Sequence, residues 1–210
     1  MDLLDTRPKG EIKDFIYVKD GSLTEFFCKY IIDKFDKDPR QKDGVLGSGG
    51  KRVDKSIKDT KDILISNQTG WEDKIFFDAL QEGLIEYNEY LFKLNEGCCS
   101  GFPNPTFTIS DTGYKVQKYE PGGSYHWHHD WSMSTNPTAS RIFTFMWYLN
   151  TIKEKDEGYT EFADGTKIQP KAGRLIFFPA TWTFLHRGYP PKVKKYLCNG
   201  WIHSRPVDTP

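Results

Sequence analysis

Two kinds of hydrophobic pattern divide this chain near residue 97. Before it, apolar residues recur every three or four positions, the spacing of a helix with one buried face. Leu23, Phe26, Phe27, Tyr30, Ile31 and Phe35 predict a helix over about 23–36, opened by Ser22 and Glu25 as a capping box. Phe76, Leu80, Leu84, Tyr87, Leu91 and Leu94 predict a second helix over about 71–95, stopped at Glu96-Gly97. Phe15-Ile16-Tyr17-Val18 and Ile63-Leu64-Ile65-Ser66 are short β-prone runs. Residues 36–50 are polar and glycine-rich and predict a loop, and the alternating charges of 51–61 read as a solvated face or crossing loop.

After Gly97 the segments become short, alternating or aromatic, and Pro and Gly punctuate them. Strands are expected at Lys115–Glu120, Tyr125–Trp131, Arg141–Leu149, Thr160–Phe162, Arg174–Phe178 and Lys195–His203. That many short strands at such spacing predict a sandwich or barrel. The expected fold class is therefore α+β, mainly β. One domain over 1–210 is expected, with helical support in 1–100 packed on a β core in 101–210.

Composition narrows the function classes. Lys plus Arg and Asp plus Glu each total 29, so the net charge is zero. That balance argues against a nucleic-acid or anionic-membrane surface, both of which use excess positive charge. Cys28, Cys98, Cys99 and Cys198 lack zinc spacing and read as free thiols. With no apolar run of signal-peptide or membrane-spanning length, a soluble cytoplasmic protein is expected.

The chemistry concentrates in Tyr119-Glu120-Pro121-Gly122-Gly123-Ser124-Tyr125-His126-Trp127-His128-His129-Asp130-Trp131, which holds three of the five histidines. On a strand, His128 and Asp130 project from one face, because side chains alternate with period two. His186, following the apolar run Leu175–Pro179, can return to the same mouth as a third ligand. Two imidazoles and one carboxylate on one face of an octahedron are the donor set of non-haem Fe(II) oxygenases. A His126-x-His128 pair is also possible on parity, but no glutamate follows closely to complete a cupin-type set. His129 and Trp127 fall on the opposite face, as structural or surface groups. On the last strand, Lys195, Leu197, Asn199 and Trp201 share a face. If that face is interior, Lys195 needs a buried anion, such as a bound dicarboxylate. Turned over, the strand leaves Lys195 in solvent.

Taken together, these elements resemble 2-oxoglutarate- and Fe(II)-dependent dioxygenases of the prolyl 4-hydroxylase-like group. The resemblance runs from Tyr119 to His203 through Tyr119-Glu120-x-Gly122-x-x-Tyr125-x-x-His128-x-Asp130, Arg141-x-x-Thr144-x-x-x-Tyr148-Leu149-Asn150 and Thr160-Glu161-Phe162. It continues through Gly173-Arg174-Leu175-Ile176-Phe177-Phe178, His186-Arg187-Gly188 and Lys195-Tyr196-x-x-Asn199-x-Trp201. It implies a double-stranded β-helix core with iron on His128, Asp130 and His186. It also implies that Lys195, rather than neighbouring Lys194, binds the distal carboxylate of 2-oxoglutarate, aided by Tyr119 and Thr160. Tyr125, Arg141 and Trp201 match positions on the substrate and catalytic side. The implied reaction uses O2, Fe(II) and 2-oxoglutarate, with ascorbate as reductant, to hydroxylate prolyl residues of a peptide or protein while releasing succinate and CO2. Hydroxylation of a free amino acid or other small molecule is the alternative, as is a non-catalytic cupin-like metal- or sugar-binding module.

Overall fold

The computed structural model describes residues 11–46, 52–65, 73–94, 107–132 and 140–206. The chain begins with β1 (Tyr17–Lys19), α1 (Glu25–Lys37), β2 (Lys42–Asp43), β3 (Lys61–Ile65) and α2 (Asp73–Leu94). There follow β4 (Phe107–Asp111), β5 (Tyr114–Tyr119), β6 (Tyr125–His128), β7 (Ser140–Tyr148), β8 (Thr160–Phe162) and β9 (Lys167–Ile168). The chain closes on β10 (Leu175–Pro179), β11 (His186–Gly188) and β12 (Lys195–Pro206). The strands form two antiparallel sheets. The larger runs β1-β10-β7-β12-β5-β3-β2, with β4 pairing the far end of β12, and the smaller runs β6-β11-β8-β9.

The long central strands of the large sheet are buried on both faces, and period-two alternation sorts their side chains into two cores. Phe145, Trp147, Leu175, Phe177, Tyr196 and Cys198 point outward to the helices, where they meet Phe27, Ile31, Phe35, Phe76 and Tyr87. Met146, Tyr148, Ile176, Phe178 and Leu197 point inward and meet Phe162 of the small sheet. The Phe162 and Phe178 rings cross edge to face at 5.0 Å, joining the two sheets. The functional cavity opens within this inter-sheet layer.

The second helix follows its pattern: Phe76, Leu80 and Tyr87 are buried, with Leu84 and Leu91 packed beside them. Trp71 and the expected stop at Glu96-Gly97 lie outside the described residues. The first helix differs from its expectation in two ways. Its N-cap is Thr24, whose hydroxyl accepts from Phe27 N at 3.2 Å. Ser22 is not the cap; its hydroxyl accepts the Trp147 indole N–H at 3.0 Å, a tertiary bond that outcompetes the local box. Phe26 and Tyr30 are exposed, because the stripe facing the sheet is Phe27, Cys28, Ile31 and Phe35. Gly173 (φ +77°) closes the turn before β10, and a Cβ there would run into the Leu23 carbonyl.

Two further strands, β4 and β9, arise where no strand was expected, and the 36–50 loop holds the short β2. The charged stretch before β3 crosses along β6 with most of its side chains exposed, as a crossing loop would, His126 N donating to Ile57 O and Asp59 N to Ser124 O, each at 2.8 Å; the departure is at Lys58. Lys58 bridges to Tyr125 and is buried, 2% exposed. Among the described residues no helix is long and apolar enough to cross a membrane.

Candidate metal centre and cosubstrate cavity

His128 ends β6, His186 begins β11, and the two residues face each other in the antiparallel register of the small sheet. Asp130 lies two residues past the end of β6, so the expected strand to Trp131 is shorter than its pattern. The chain nevertheless returns the carboxylate to the imidazoles. Nε2 of His128 is 3.8 Å from Asp130 Oδ1, and Nε2 of His186 is 3.7 Å from Asp130 Oδ2. The three ligand atoms all lie within 4.8 Å of one another.

Each imidazole is aimed by its own backbone. His128 Nδ1 lies 2.7 Å from His126 O, and His186 Nδ1 lies 3.0 Å from Phe184 O. A carbonyl can only accept, so Nδ1 carries the proton and the Nε2 lone pair faces the centre. Thr144 Oγ1 donates to Asp130 Oδ2 at 2.7 Å and fixes the carboxylate. Burial, reinforced by His186, holds His128 down to about 3, in the neutral form that ligates metal. Burial works against the Asp130 carboxylate, yet the imidazoles and the Thr144 hydroxyl hold it down to about 2. A deprotonated carboxylate with two preoriented imidazole lone pairs on one side of a cavity fits a divalent iron, with the remaining positions open.

The cavity beside this triad has a volume of about 610 Å³ and runs from Lys195 and Thr160 at its depth to His129 and Trp131 at its rim. Lys195, Leu197, Asn199 and Trp201 all line it, which settles the orientation of β12; Tyr196 and Cys198 belong to the helix-facing core. Lys195 is 1% exposed, and its Nζ has no hydrogen-bond partner among the described residues. Its nearest neighbours include the rings of Tyr119 and Tyr148, centred 5.2 and 5.6 Å away. Burial alone pushes its pKa down to about 7. An ammonium in an aromatic cage without a counter-anion is an incomplete arrangement, and the carboxylate of a dicarboxylic acid completes it.

Tyr119 is buried directly across from Lys195 in the β5–β12 register. Thr160 is buried too, its Oγ1 accepting from Tyr148 OH at 2.6 Å. Lys194, by contrast, is exposed, with its carbonyl accepting from Asn150 Nδ2. At the other side of the triad, the Tyr125 ring stacks on His128 with centroids 3.6 Å apart. Arg141 lies over the Trp201 ring, its Cζ 3.5 Å from the centroid. All the expected site residues thus meet in one cavity.

The expectations for the flanking residues divide. Exposed His126 stays outside the ligand set. Trp127 is on the outer surface, 4.8 Å beneath the Arg187 guanidinium, and Arg187 is engaged by Glu161 through Nε at 2.6 Å. His129 corrects its expectation: though exposed, it lines the cavity rim, because the chain leaves strand geometry after His128. Lys58, Lys115 and Gln117 also line the cavity and were not foreseen. For Lys115 and Gln117 a signal existed, since they share parity with Tyr119 on β5. Lys58 had none, as its strand-like docking depends on β6.

Comparison with known proteins agrees with this geometry. Residues 114–203 match the family described as the 2OG-Fe(II) oxygenase superfamily. No curated protein sequence is significantly similar to the chain. Among solved structures, the chain is similar to the viral collagen prolyl hydroxylase of Paramecium Bursaria Chlorella virus-1 in its 2OG complex (TM-score 0.62, 23% identity, covering 93% of this chain and 98% of that one). It is similar to a Pseudomonas putida prolyl-4-hydroxylase (TM-score 0.60, 18% identity, 90% and 92% covered). A third similar structure is a Trichoplax adhaerens prolyl hydroxylase in complex with a hypoxia inducible factor peptide fragment (TM-score 0.68, 18% identity, 90% and 84% covered). At these identities the structures speak for a shared double-stranded β-helix fold. With the sequence match confined to residues 114–203 and the His128–Asp130–His186 triad assembled inside it, this β core reads as a 2OG-Fe(II) oxygenase, an oxidoreductase.

Proposed function

We propose that this oxygenase hydroxylates prolyl residues of a peptide or protein. The observation that carries the reading is one cavity that joins the unpartnered Lys195, the triad and an aromatic substrate side made by Tyr125 and Trp201. His128, Asp130 and His186 would hold Fe(II). Lys195 would take the distal carboxylate of 2-oxoglutarate, with the hydroxyls of Tyr119 and Thr160 beside it. When bound, iron and 2-oxoglutarate supply the oxidising chemistry, in which O2 delivers one oxygen atom to a substrate C–H bond and one to the succinate formed with CO2. The chain's part is to orient, to exclude water and to hold charge. Tyr125 and Trp201 line the cavity beside the triad and offer their ring edges as apolar surface for a pyrrolidine ring, and Arg141 offers donors to a substrate oxygen. The fold shared with three prolyl hydroxylases supports the substrate class. Ascorbate would serve to keep the iron reduced.

The test combines protein, Fe(II), 2-oxoglutarate and ascorbate with a panel of proline-containing peptides and with free proline. The expected outcome is succinate release matched by one added oxygen atom on a peptide, both abolished in His128→Ala. Succinate release with oxygen gained only by free proline, or by no member of the panel, would overturn the peptide reading.

A further inference from the structure

The cavity carries more positive charge than iron and 2-oxoglutarate use. Its described lining residues include Lys58, Lys115, Arg141 and Lys195, against a single carboxylate, Asp130. Lys58 is matched from behind by Asp62, at 2.9 Å. In the oxygenase reading, Lys195 is matched by the distal carboxylate of 2-oxoglutarate, and Asp130 with the other carboxylate balances a divalent iron. Lys115 and Arg141 are left over.

Their existing contacts do not neutralise them. Lys115 Nζ is 4.0 Å from Asp62 Oδ2, an oxygen that already accepts from Lys58 and, at 3.0 Å, from Gln117 Nε2. The other oxygen, Oδ1, accepts from the Thr60 hydroxyl at 2.7 Å. Arg141 Nη1 donates to the backbone carbonyl of Asp130 at 3.2 Å, a dipole rather than a counter-charge. Both cations converge on one ring: Arg141 Cζ is 3.5 Å and Lys115 Nζ 5.0 Å from the Trp201 centroid. Burial pushes the Lys115 ammonium down to about 8, with Lys58 adding to the shift, and lowers Arg141 as well. Two like charges that approach one ring from the strands on either side of it, each partly stripped of water, are stabilised by an oxyanion bound beside that ring.

We propose that Lys115 and Arg141 anchor a carboxylate of the substrate beside Trp201, so that the hydroxylated residue carries or adjoins a carboxylate. The bond from Arg141 to Asp130 places this anchor next to the metal centre, so the carboxylate belongs to the target residue or its immediate neighbour. The proposal rests on the oxygenase reading for what fills the rest of the cavity. Two sources share the chemistry: an acidic side chain flanking the target in a peptide, or the α-carboxylate of a chain end or free amino acid.

Anaerobic Fe(II)- and 2-oxoglutarate-loaded protein, titrated by calorimetry, tests the anchor without turnover. The probes are peptide pairs differing only as Pro-Glu against Pro-Gln, Pro-Asp against Pro-Asn, and C-terminal proline acid against its amide, together with proline against prolinamide. The expected result is an acid preference of about tenfold or more in at least one pair, the usual size for a charge-assisted bond. It should shrink with added salt, vanish in Lys115→Gln and persist in Lys115→Arg. The pair that shows it identifies the source. Equal affinity for acid and amide in every pair, or no measurable binding of any acid, overturns the proposal. Substrate-independent succinate formation by the wild-type protein separates the two readings. Succinate with no acid preference removes the anchor and leaves the oxygenase, whereas an acid preference without succinate removes the oxygenase reading and leaves the anchor.

Discussion

Lys58 and Lys195 line the same cavity and are equally buried, 2% and 1% exposed, yet they are held in opposite ways. Lys58 has a carboxylate of its own, Asp62, which is also fixed by Thr60 and Gln117. Lys195 has aromatic rings around it and, among the described residues, no hydrogen-bond partner. A buried charge that is already paired belongs to the architecture. A buried charge left unpaired marks where a ligand of opposite charge completes the site. The contrast assigns Lys58 to holding the 57–59 segment against β6 and leaves Lys195 free for the cosubstrate role proposed for it.

The largest effect that tests this contrast is expected at Asp62. In Asp62→Asn, Lys58 becomes a second orphan, and stability should fall by about 3 kcal/mol in a denaturant titration. An unchanged midpoint would mean that the pair is not structural. Lys195→Met should act in the reverse sense. It should weaken 2-oxoglutarate binding by about 100-fold while raising the melting temperature of the ligand-free protein, since a thioether costs less to bury than a lone ammonium. A lowered melting temperature with cosubstrate affinity intact would reverse the assignment. At the triad, Thr144→Val removes the donor to Asp130 and should reduce iron affinity by about 10-fold, measured by competition with a chelator.

The last test is a pH slope. Folding lowers Lys195 from its ordinary 10.5 to about 7, so between these values the folded chain binds fewer protons than the unfolded one. Across that window the penalty from Lys195 is relieved as pH rises, and its contribution to ligand-free stability improves. Cosubstrate affinity moves the other way. Above about 7, binding a carboxylate requires uptake of a proton, so affinity should fall by about tenfold per pH unit. Lys195→Arg, which stays charged, should flatten that slope in titrations at several pH values. A slope equally steep in the arginine variant would place the titrating group elsewhere.

The fold's helices and central strands were legible because their periodicities are set by burial on known faces. The second helix shows this most simply, with Phe76, Leu80 and Tyr87 on one stripe. The metal ligands were legible as well, since few residue types supply the donors and three stood in order along the chain. The first helix was harder: Phe26 and Tyr30 fit a helical stripe as well as the residues that are buried. Which apolar stripe faces the sheet is decided by the partner surface. The orientation of β12 was ambiguous for a related reason. Tyr196 and Cys198 face the helices while Lys195, Leu197 and Asn199 face the cavity, so alternation separates two buried faces rather than inside from outside.

By itself the sequence determined the class of fold, the donor atoms for iron and a set of residues able to surround a dicarboxylate, because these follow from residue chemistry and local period. Only the tertiary structure decided which charges are spoken for. Lys58 and Asp62 are four residues apart, but their pairing in the cavity wall depends on the 57–59 segment docking along β6. Lys115 and Arg141 come from different strands and each approaches the Trp201 ring of a third. Electrostatic meaning depends on distance and solvent exposure, and both are properties of the folded chain.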